Sequence, residues 1–161
     1  MSIEVERKFL IRRLPLAISE LQGKVIEQGY VALEPGGHEV RLRNSNGQFT
    51  LTVKSSGDMV RQEYEIGLTQ EQFEQLWPAT EGRQIQKDRY VLSRDGYVIE
   101  VDVYHKPLNG LMVAEVEFAS TNLANDYVKE PWMGEEVTHL SFLKNRRLLD
   151  FESFESLTKL L

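Results

Sequence analysis

Ile3-Glu4-Val5-Glu6-Arg7-Lys8-Phe9 is the stretch of this sequence that decides the fold. Because side chains alternate along a strand, the charged residues Glu4, Glu6 and Lys8 share one face, and the opposite face is mostly apolar. Same-face neighbours lie roughly 7 Å apart, so Glu4 and Glu6 are close enough to share one divalent cation. The stretch alone also fits a solvated surface strand, so its interpretation depends on the rest of the chain.

Length and composition limit the possible folds. The chain has 161 residues, of which 41% are hydrophobic and 27% charged, which is typical of a globular protein with a buried core. We therefore predict a single domain over residues 1–161. No apolar run approaches the roughly 18 residues of a membrane span, and no signal peptide precedes the first strand, so a cytoplasmic location is expected.

The absence of cysteine and the net charge exclude several classes of function. Without cysteine, disulfides, thiolate metal sites and cysteine nucleophiles are excluded. A net charge of -6 argues against general nucleic-acid binding, although a local basic pocket remains compatible with it. The histidines His38, His105 and His139 are isolated in sequence, so a histidine zinc site is not expected.

Seven further strands are predicted after the first one. They cover residues 25–33, 39–43, 48–54, 59–68, 97–104 and 111–118, with one more between Gly82 and the Asp95-Gly96 turn. Asn44-Ser45-Asn46-Gly47 predicts a hairpin turn, and Thr69-Gln70-Glu71-Gln72 predicts the capping box of a helix. A short helix is also expected over residues 12–24.

Nearly every predicted strand carries a same-face pair of charges. The acids are Glu4, Glu6, Glu63, Glu65, Glu100, Asp102, Glu115 and Glu117. The bases are Lys8, Arg41, Arg43, Lys54, Lys87 and Arg89, with Arg61 ranked below them because it can pair with neighbouring glutamates. A sheet that faces water would carry mixed Ser, Thr, Gln and Lys instead.

This pattern predicts an α+β protein built on a closed, eight-stranded antiparallel β-barrel, or tunnel. Its charged faces are expected to point inward, with the helices packed outside. Because buried charges are costly without partners, such a lining is expected to surround metal ions and a polyanion.

The ordered set of motifs resembles the CYTH superfamily, the triphosphate tunnel metalloenzymes. The opening strand is followed in order by Arg-x-Arg, Arg-x-Glu-x-Glu, Lys-x-Arg, Glu-x-Asp and Glu-x-Glu, through Phe118. The resemblance implies a triphosphate substrate and Mg²⁺ or Mn²⁺ as cofactor. The implied metal ligands are Glu4, Glu6, Glu63, Glu65, Glu100, Asp102, Glu115 and Glu117. The implied phosphate ligands are Lys8, Arg41, Arg43, Lys54, Lys87 and Arg89, and the expected catalytic residues are Glu4, Glu6 and Lys8.

The favoured reaction is hydrolysis of inorganic tripolyphosphate to pyrophosphate and phosphate by metal-activated water. Class IV adenylate cyclases and thiamine, nucleoside or RNA triphosphatases share the same phosphate machinery and stay open as alternatives. The compact chain and the lack of an evident base-reading insertion favour the inorganic substrate. A non-catalytic polyphosphate or nucleotide sensor is a further alternative, and so is an ordinary β-domain with a charged surface. The expected partner is a small triphosphate, without nucleic acid or membrane, and the expected assembly is a monomer or homodimer.

The C-terminal third, residues 121–161, is expected to be a helical segment appended to the barrel. Helices are predicted over 121–128 and 140–149, followed by an amphipathic end. Lys144, Arg146 and Arg147 form a basic cluster, expected on a solvated helix face unless a terminal helix brings one of them to the substrate. The segment either packs outside the barrel, plugs one end or forms a dimer contact. Tyr30 and Tyr104 are expected to pack within the sheet or to line the tunnel mouth.

Overall fold

The computed structural model describes residues 5–35, 38–55 and 62–161. The strands in these ranges are β1 (Val5–Leu10), β2 (Lys24–Leu33), β3 (Glu39–Ser45), β4 (Gln48–Lys54), β5 (Glu63–Leu68), β6 (Gln84–Arg94), β7 (Tyr97–Tyr104) and β8 (Met112–Phe118). The helices are α1 (Leu16–Ser19), α2 (Gln70–Leu76), α3 (Thr121–Asp126), α4 (Asn145–Leu148) and α5 (Phe154–Thr158). Two short 3₁₀ turns cover Trp77–Thr80 and Ser141–Leu143. Among these helices, none is long and apolar enough to cross a membrane.

The strands form one eight-stranded sheet in the order β1-β8-β7-β6-β2-β3-β4-β5. The ladders β1-β8, β8-β7, β7-β6, β2-β3, β3-β4 and β4-β5 are all antiparallel. The predicted eight-stranded antiparallel architecture with few helices is therefore confirmed. Within the described ranges, no ladder joins β1 to β5, so hydrogen bonds do not close the sheet and the predicted closed barrel is not confirmed.

The chain divides into two compact units. The first contains residues 25–86, and the second contains residues 5–24 together with 87–161. The ladders from β2 to β5 and helix α2 belong to the first unit. The second unit holds β1, β7, β8, most of β6 and the C-terminal segment. The assignment of a single domain to residues 1–161 stays a prediction.

Two local signals of the first unit are confirmed by its backbone. Asn46 and Gly47 connect β3 to β4 with positive φ angles of 53° and 89°, which a two-residue hairpin of type I′ requires. Thr69 caps α2, because its side chain accepts from the backbone of Gln72 and the Gln72 side chain accepts from the backbone of Thr69. The capped helix buries the side chain of Phe73, which lies about one turn after the start of α2.

The core of the second unit lies on one face of its strands. Its buried members are Phe9, Ile11, Ile18, Ile99, Val101, Ala114, Val116, Phe118, Ala124 and Met133. In β7 and β8 these residues alternate with Glu100, Asp102, Glu115 and Glu117. Because neighbours along a strand point to opposite faces, the other face of these strands is left to the charged residues.

Hydrogen bonds from Arg7 join β1 to α3 and to the segment that follows it. Its guanidinium donates to both carboxylate oxygens of Glu136, at 2.8 and 2.7 Å, and to the carbonyls of Ala124 and Tyr127, at 2.9 and 3.1 Å. The guanidinium carbon also lies 5.4 Å from the ring centroid of Phe9. The hydrogen bond from Arg7 holds the pKa of Glu136 below its usual range. Arg7 points to the face of β1 opposite Glu6 and Lys8. Its contacts therefore hold β1 in place without using the charged face.

Three predicted helices are shorter than expected. Helix α1 begins only at Leu16, because a residue that precedes proline, here Leu14, disfavours helical geometry. Helix α3 ends at Asp126 instead of continuing to residue 128. Residues 140–149 divide into the 3₁₀ turn at Ser141–Leu143 and α4, because Lys144 is extended, with φ -67° and ψ 137°.

Gly29→Ala tests the close packing of β2 against the Trp77–Thr80 turn. A Cβ at Gly29 would lie 2.5 Å from the Cβ and Oγ1 atoms of the fully buried Thr80. Overpacking of this kind costs about 1–3 kcal/mol, so urea denaturation should show that loss in the free energy of unfolding. Gly67→Ala is the matched control, since a Cβ there meets no atom within 4 Å. Equal losses in the two variants would contradict the packing argument.

Glu136→Gln tests the contact with Arg7 through its pH dependence. Because the folded-state pKa of Glu136 is lowered, the carboxylate stabilises the protein above the unfolded-state pKa of about 4.3, and this stabilisation is lost as the pH falls through the folded-state pKa. We expect the variant to be less stable by up to about 1 kcal/mol near neutral pH, because the pair is partly exposed. The difference should shrink as the pH falls below about 4.

Urea denaturation across this pH range measures the effect of Glu136→Gln. Its matched control is Glu135→Gln, which removes the exposed neighbouring carboxylate. A difference between Glu136→Gln and the unaltered protein that did not change with pH would exclude the charge of Glu136 as its cause.

Candidate active site

In the second unit, cross-strand register brings most of the predicted charged residues onto one face. The directly opposed pairs are Glu6 with Glu117, Lys8 with Glu115, Glu115 with Glu100, Arg89 with Asp102, and Lys87 with Tyr104. Residues directly opposite each other on adjacent strands share a face and lie within contact distance. The structure therefore gathers the predicted bases of β1 and β6 and the predicted acids of β7 and β8.

Asp102 is the centre of this face. Its buried carboxylate accepts from Lys87 Nζ at 2.5 Å, and from Arg89 Nε and Nη2 at 2.7 and 2.8 Å. Arg89 Nη1 also lies 2.6 Å from Glu100 Oε2. Burial by itself would raise the pKa of Asp102, but Lys87 and Arg89 outweigh it and hold that pKa well below its usual range. Asp102 is thus an anion that two cations share.

Burial and the shared carboxylate act in opposite directions on the two cations. Burial lowers the pKa of Lys87 to about 8, although Asp102 favours the charged form. For Arg89 burial also acts to lower the pKa, yet the hydrogen bonds to Asp102 raise it above its ordinary value. Burial raises the pKa of Glu100. Near neutral pH the centre therefore holds two cations around one fully charged carboxylate.

Lys8 and Glu115 form a second pair on the same face. Lys8 Nζ lies 3.1 Å from Glu115 Oε1 and donates to the carbonyl oxygen of Leu143 at 3.2 Å. Burial would raise the pKa of Glu115, but Lys8 and the other nearby cations hold it below its usual range. A predicted phosphate ligand and a predicted metal ligand are therefore paired with each other.

The carboxylates of the face suit a divalent cation. Glu6 and Glu117 are exposed and directly opposite each other, and like charges in that position destabilise a sheet unless a cation lies between them. Carboxylate oxygens are the ligands that hard cations such as Mg²⁺ prefer. Among residues 5–35, 38–55 and 62–161, no group of three or more acids or histidines is arranged to hold a metal ion. Glu4, the predicted partner of Glu6, lies outside the described residues, as does Arg61.

In the first unit, a polar face runs across β3, β4 and β5. Register places Lys54 between Glu39 and Glu63, and Thr52 between Arg41 and Glu65. The contacts on this face are Lys54 Nζ with Glu63 Oε2 at 3.2 Å, Thr52 Oγ1 donating to Glu65 Oε2 at 3.0 Å, and Arg43 Nη2 donating to Gln28 Oε1 at 3.3 Å. Here again each predicted metal ligand contacts a residue of the same face.

Arg41 is the residue of this unit whose surroundings suit an anion best. Its side chain is buried, and the nearest carboxylate among the described residues, that of Glu39, is 4.0 Å from Nη1. Arg41 Nε is buried and has no hydrogen-bond partner among the described parts of the chain. A buried donor that lacks an acceptor costs free energy, and a phosphate oxygen would supply one. Tyr30 lies opposite Arg41 in the ladder, and burial raises the pKa of its hydroxyl.

Sequence reasoning missed several residues that complete these two faces. Glu39 and Thr52 follow from the same alternation that revealed Arg41, so the pattern contained a signal for them. No sequence signal pointed to Asn145. Its side chain contacts Lys87, which lies 58 residues away in the chain. Tyr104 was expected in packing or at a tunnel mouth; its hydroxyl donates to Asn145 Oδ1 at 2.6 Å.

The histidines that the structure pairs do not form a shared site. His38 Nδ1 lies 3.3 Å from Glu34, and His105 Nε2 lies 3.0 Å from Asp88. These are separate two-residue contacts.

Comparisons with known proteins place the chain beside one family. The model of the CYTH domain matches residues 2–131. The inorganic triphosphatase of Nitrosomonas europaea is 44% identical over 146 residues, which is 90% of this chain and 95% of the relative. The inorganic triphosphatase of Acetivibrio thermocellus is 34% identical over 143 residues, covering 86% and 87%.

Solved structures agree with these sequence matches. A crystal structure of an inorganic triphosphatase superposes with a TM-score of 0.72 at 42% identity, covering 92% of this chain and 95% of that one. A Pyrococcus horikoshii protein of 17% identity has the same fold, with a TM-score of 0.58 over 84% of this chain and 97% of that one.

Asp102→Asn and Lys87→Met together test the ionic centre. Asp102→Asn leaves the buried Lys87 and the partly buried Arg89 without their shared carboxylate, so we expect the free energy of unfolding to fall by about 3–5 kcal/mol. Lys87→Met should cost much less, because Asp102 keeps its bidentate contact with Arg89. Urea denaturation without metal or phosphate measures both variants. A larger loss in Lys87→Met than in Asp102→Asn would contradict the central role of Asp102.

Proposed function

This chain belongs to the CYTH domain family, and from that premise we propose that it is a triphosphatase which hydrolyses inorganic tripolyphosphate to pyrophosphate and phosphate, with Mg²⁺ or Mn²⁺ as cofactor. The observation that carries the proposal is the ionic centre of the second unit, where the buried Lys87 and the partly buried Arg89 share Asp102. Two relatives of similar length are inorganic triphosphatases, which supports the choice of substrate.

We propose that the bases of each unit bind the phosphates. Tripolyphosphate carries about four to five negative charges near neutral pH, so its transfer chemistry depends on positioning and charge neutralisation more than on covalent help. Arginines grip phosphate oxygens with two parallel hydrogen bonds, whereas lysines act as point charges. The proposed ligands are Lys8, Arg41, Arg43, Lys54, Lys87 and Arg89.

The carboxylates of the same faces are the proposed metal ligands. They are Glu4, Glu6, Glu63, Glu65, Glu100, Asp102, Glu115 and Glu117. Mg²⁺ or Mn²⁺, when bound, supplies Lewis-acid neutralisation of the phosphoryl oxygens and lowers the pKa of a water molecule. Glu4, Glu6 and Lys8 are the proposed catalytic residues.

The pairs of Lys8 with Glu115 and of Lys54 with Glu63 then exchange partners when metal and substrate bind. Lys8 turns from Glu115 to a phosphate oxygen, and the freed carboxylate becomes available to a cation. The same exchange applies to Lys54 and Glu63 in the first unit, which are 3.2 Å apart. Because no charge is left buried without a partner, the exchange avoids the desolvation cost of an isolated ion.

Tunnel closure, domain organisation, location and oligomeric state are part of the same proposal. We propose that the sheet closes into a tunnel within a single domain, since alternating charged faces in both units suit an enclosed polyanion. A cytoplasmic location and a monomeric or homodimeric state belong to the same proposal.

Glu4→Gln and Glu6→Gln test the reaction. We expect orthophosphate release from tripolyphosphate with Mg²⁺ or Mn²⁺ to fall at least about 100-fold in each variant, because a carboxamide is a poor metal ligand and carries no charge. ATP, GTP and thiamine triphosphate complete the substrate panel. Glu74→Gln is the matched control, since Glu74 is exposed on α2 and contacts Gln70, and it should keep full activity.

The outcomes of this assay separate the alternatives. Full activity in Glu4→Gln would exclude that residue from catalysis. Release of pyrophosphate with cyclic AMP from ATP would identify a cyclase. Absence of turnover together with a rise in melting temperature on adding tripolyphosphate would identify a binding protein instead of an enzyme.

A further inference from the structure

The C-terminal segment reaches two of the proposed phosphate ligands within the second unit. Lys8 Nζ donates to the carbonyl oxygen of Leu143, and Lys87 Nζ lies 3.5 Å from Asn145 Oδ1. Leu143 and Leu148 flank this contact in sequence, and each is only 1% exposed. Their burial anchors the short segment, so the polar atoms between them are held at defined positions beside the two lysines.

Asn145 joins Lys87 to a buried tyrosine. Tyr104 lies directly opposite Lys87 in the β6-β7 ladder, and its hydroxyl donates to Asn145 Oδ1 at 2.6 Å. Lys87 Nζ also lies 5.3 Å from the centroid of the Tyr104 ring. Because an ammonium has donors and no acceptor, the oxygen of the Asn145 amide is the atom that must face Lys87. Two donors therefore converge on one fixed amide oxygen.

This geometry leaves a defined direction for a substrate oxygen. The ammonium of Lys87 has three N–H donors, of which one faces Asp102 and one faces Asn145. The proposed function assigns the third to a phosphate oxygen, which must reach an ammonium that is fully buried in this structure. A neutral amide stabilises the buried ammonium without adding a negative charge that would repel the phosphate. Glutamate or aspartate at the same position would add that repulsion.

We propose that Asn145 is a positioning residue, which holds the ammonium of Lys87 in the orientation that binds a phosphoryl oxygen of the substrate, and that Tyr104 fixes Asn145 for this task. The inference rests on the proposed function, in which Lys87 contacts the triphosphate. It gives the C-terminal segment a role in substrate binding. The sequence alone left three alternatives for this segment: packing outside the barrel, plugging one end, or forming a dimer contact.

Three variants separate positioning from simple attachment of the segment. Asn145→Leu removes the acceptor and keeps the branched shape and the number of heavy atoms, and Asn145→Asp keeps an oxygen but adds a charge. Tyr104→Phe removes only the hydroxyl. The control is Ser141→Ala, which alters an exposed residue of the same segment. Steady-state hydrolysis of tripolyphosphate gives kcat and KM for each, and urea denaturation gives the free energy of unfolding.

We expect Asn145→Leu to lower kcat by about 10–100-fold, as loss of a supporting hydrogen bond does elsewhere, with little change in KM. Asn145→Asp should recover most of kcat, because the oxygen is restored, and should raise KM, because the new charge repels the substrate. Tyr104→Phe should lower kcat by a smaller factor than Asn145→Leu. Ser141→Ala should match the unaltered protein in all three quantities.

Each other result overturns the inference. Unchanged kcat in Asn145→Leu, with or without a loss of stability, means that Asn145 only attaches the segment. If Asn145→Leu does not fold, Tyr104→Phe decides, and unchanged kcat there is equally negative. A similar fall of kcat in Asn145→Leu and Asn145→Asp would exclude the amide oxygen as the cause. Absence of turnover by the unaltered protein would overturn the proposed function, and this inference with it, whereas an active enzyme with an inert Asn145 would overturn this inference alone.

Discussion

The carboxylate of Asp102, buried between Lys87 and Arg89, is the contact on which the charged face of the second unit depends. Moving an ion out of water costs several kcal/mol, and a buried ion is tolerated only with partners in good geometry. Strand β7 is therefore covered on both faces, with Ile99 and Val101 in an apolar core and Asp102 among cations. Because Asp102 is buried, this part of the face is not a solvated surface. The alternative of an ordinary β-domain with a charged surface therefore does not describe β7.

The same constraint links the two kinds of ligand that the proposed function requires. In the structure, Lys8 neutralises Glu115 and Lys54 neutralises Glu63. A polyanion that bound the lysines alone would leave partly buried carboxylates unpaired, and a cation that bound the carboxylates alone would do the same to the lysines. Binding of either is therefore favoured by the other, so metal and triphosphate are expected to bind cooperatively.

The parts of the structure that sequence could predict are those with local or periodic signals. Alternation located the strands and the shared face of Glu100 and Asp102, and short-range chemistry located the Asn46-Gly47 turn and the cap of α2. The interruption of the predicted 140–149 helix at Lys144 could not be predicted, because no glycine or proline lies there. The contact of Asn145 with Lys87 depends on tertiary packing across 58 residues. Closure of the barrel depends on pairing between the two ends of the sheet, which no periodicity within a strand can reveal.

Pairing of the first strand with the last has a consequence for translation. Val5 pairs with Phe118, so β1 leaves the ribosome roughly 6–23 s before its partner strand exists, at ordinary rates of synthesis. A strand whose edges are unpaired for that long can pair with other nascent chains. Glu6, Arg7 and Lys8 place three consecutive charges in the middle of β1, and such charges oppose aggregation of an unpaired strand. The residues that supply the face of the site thus also protect this strand while the chain is being made.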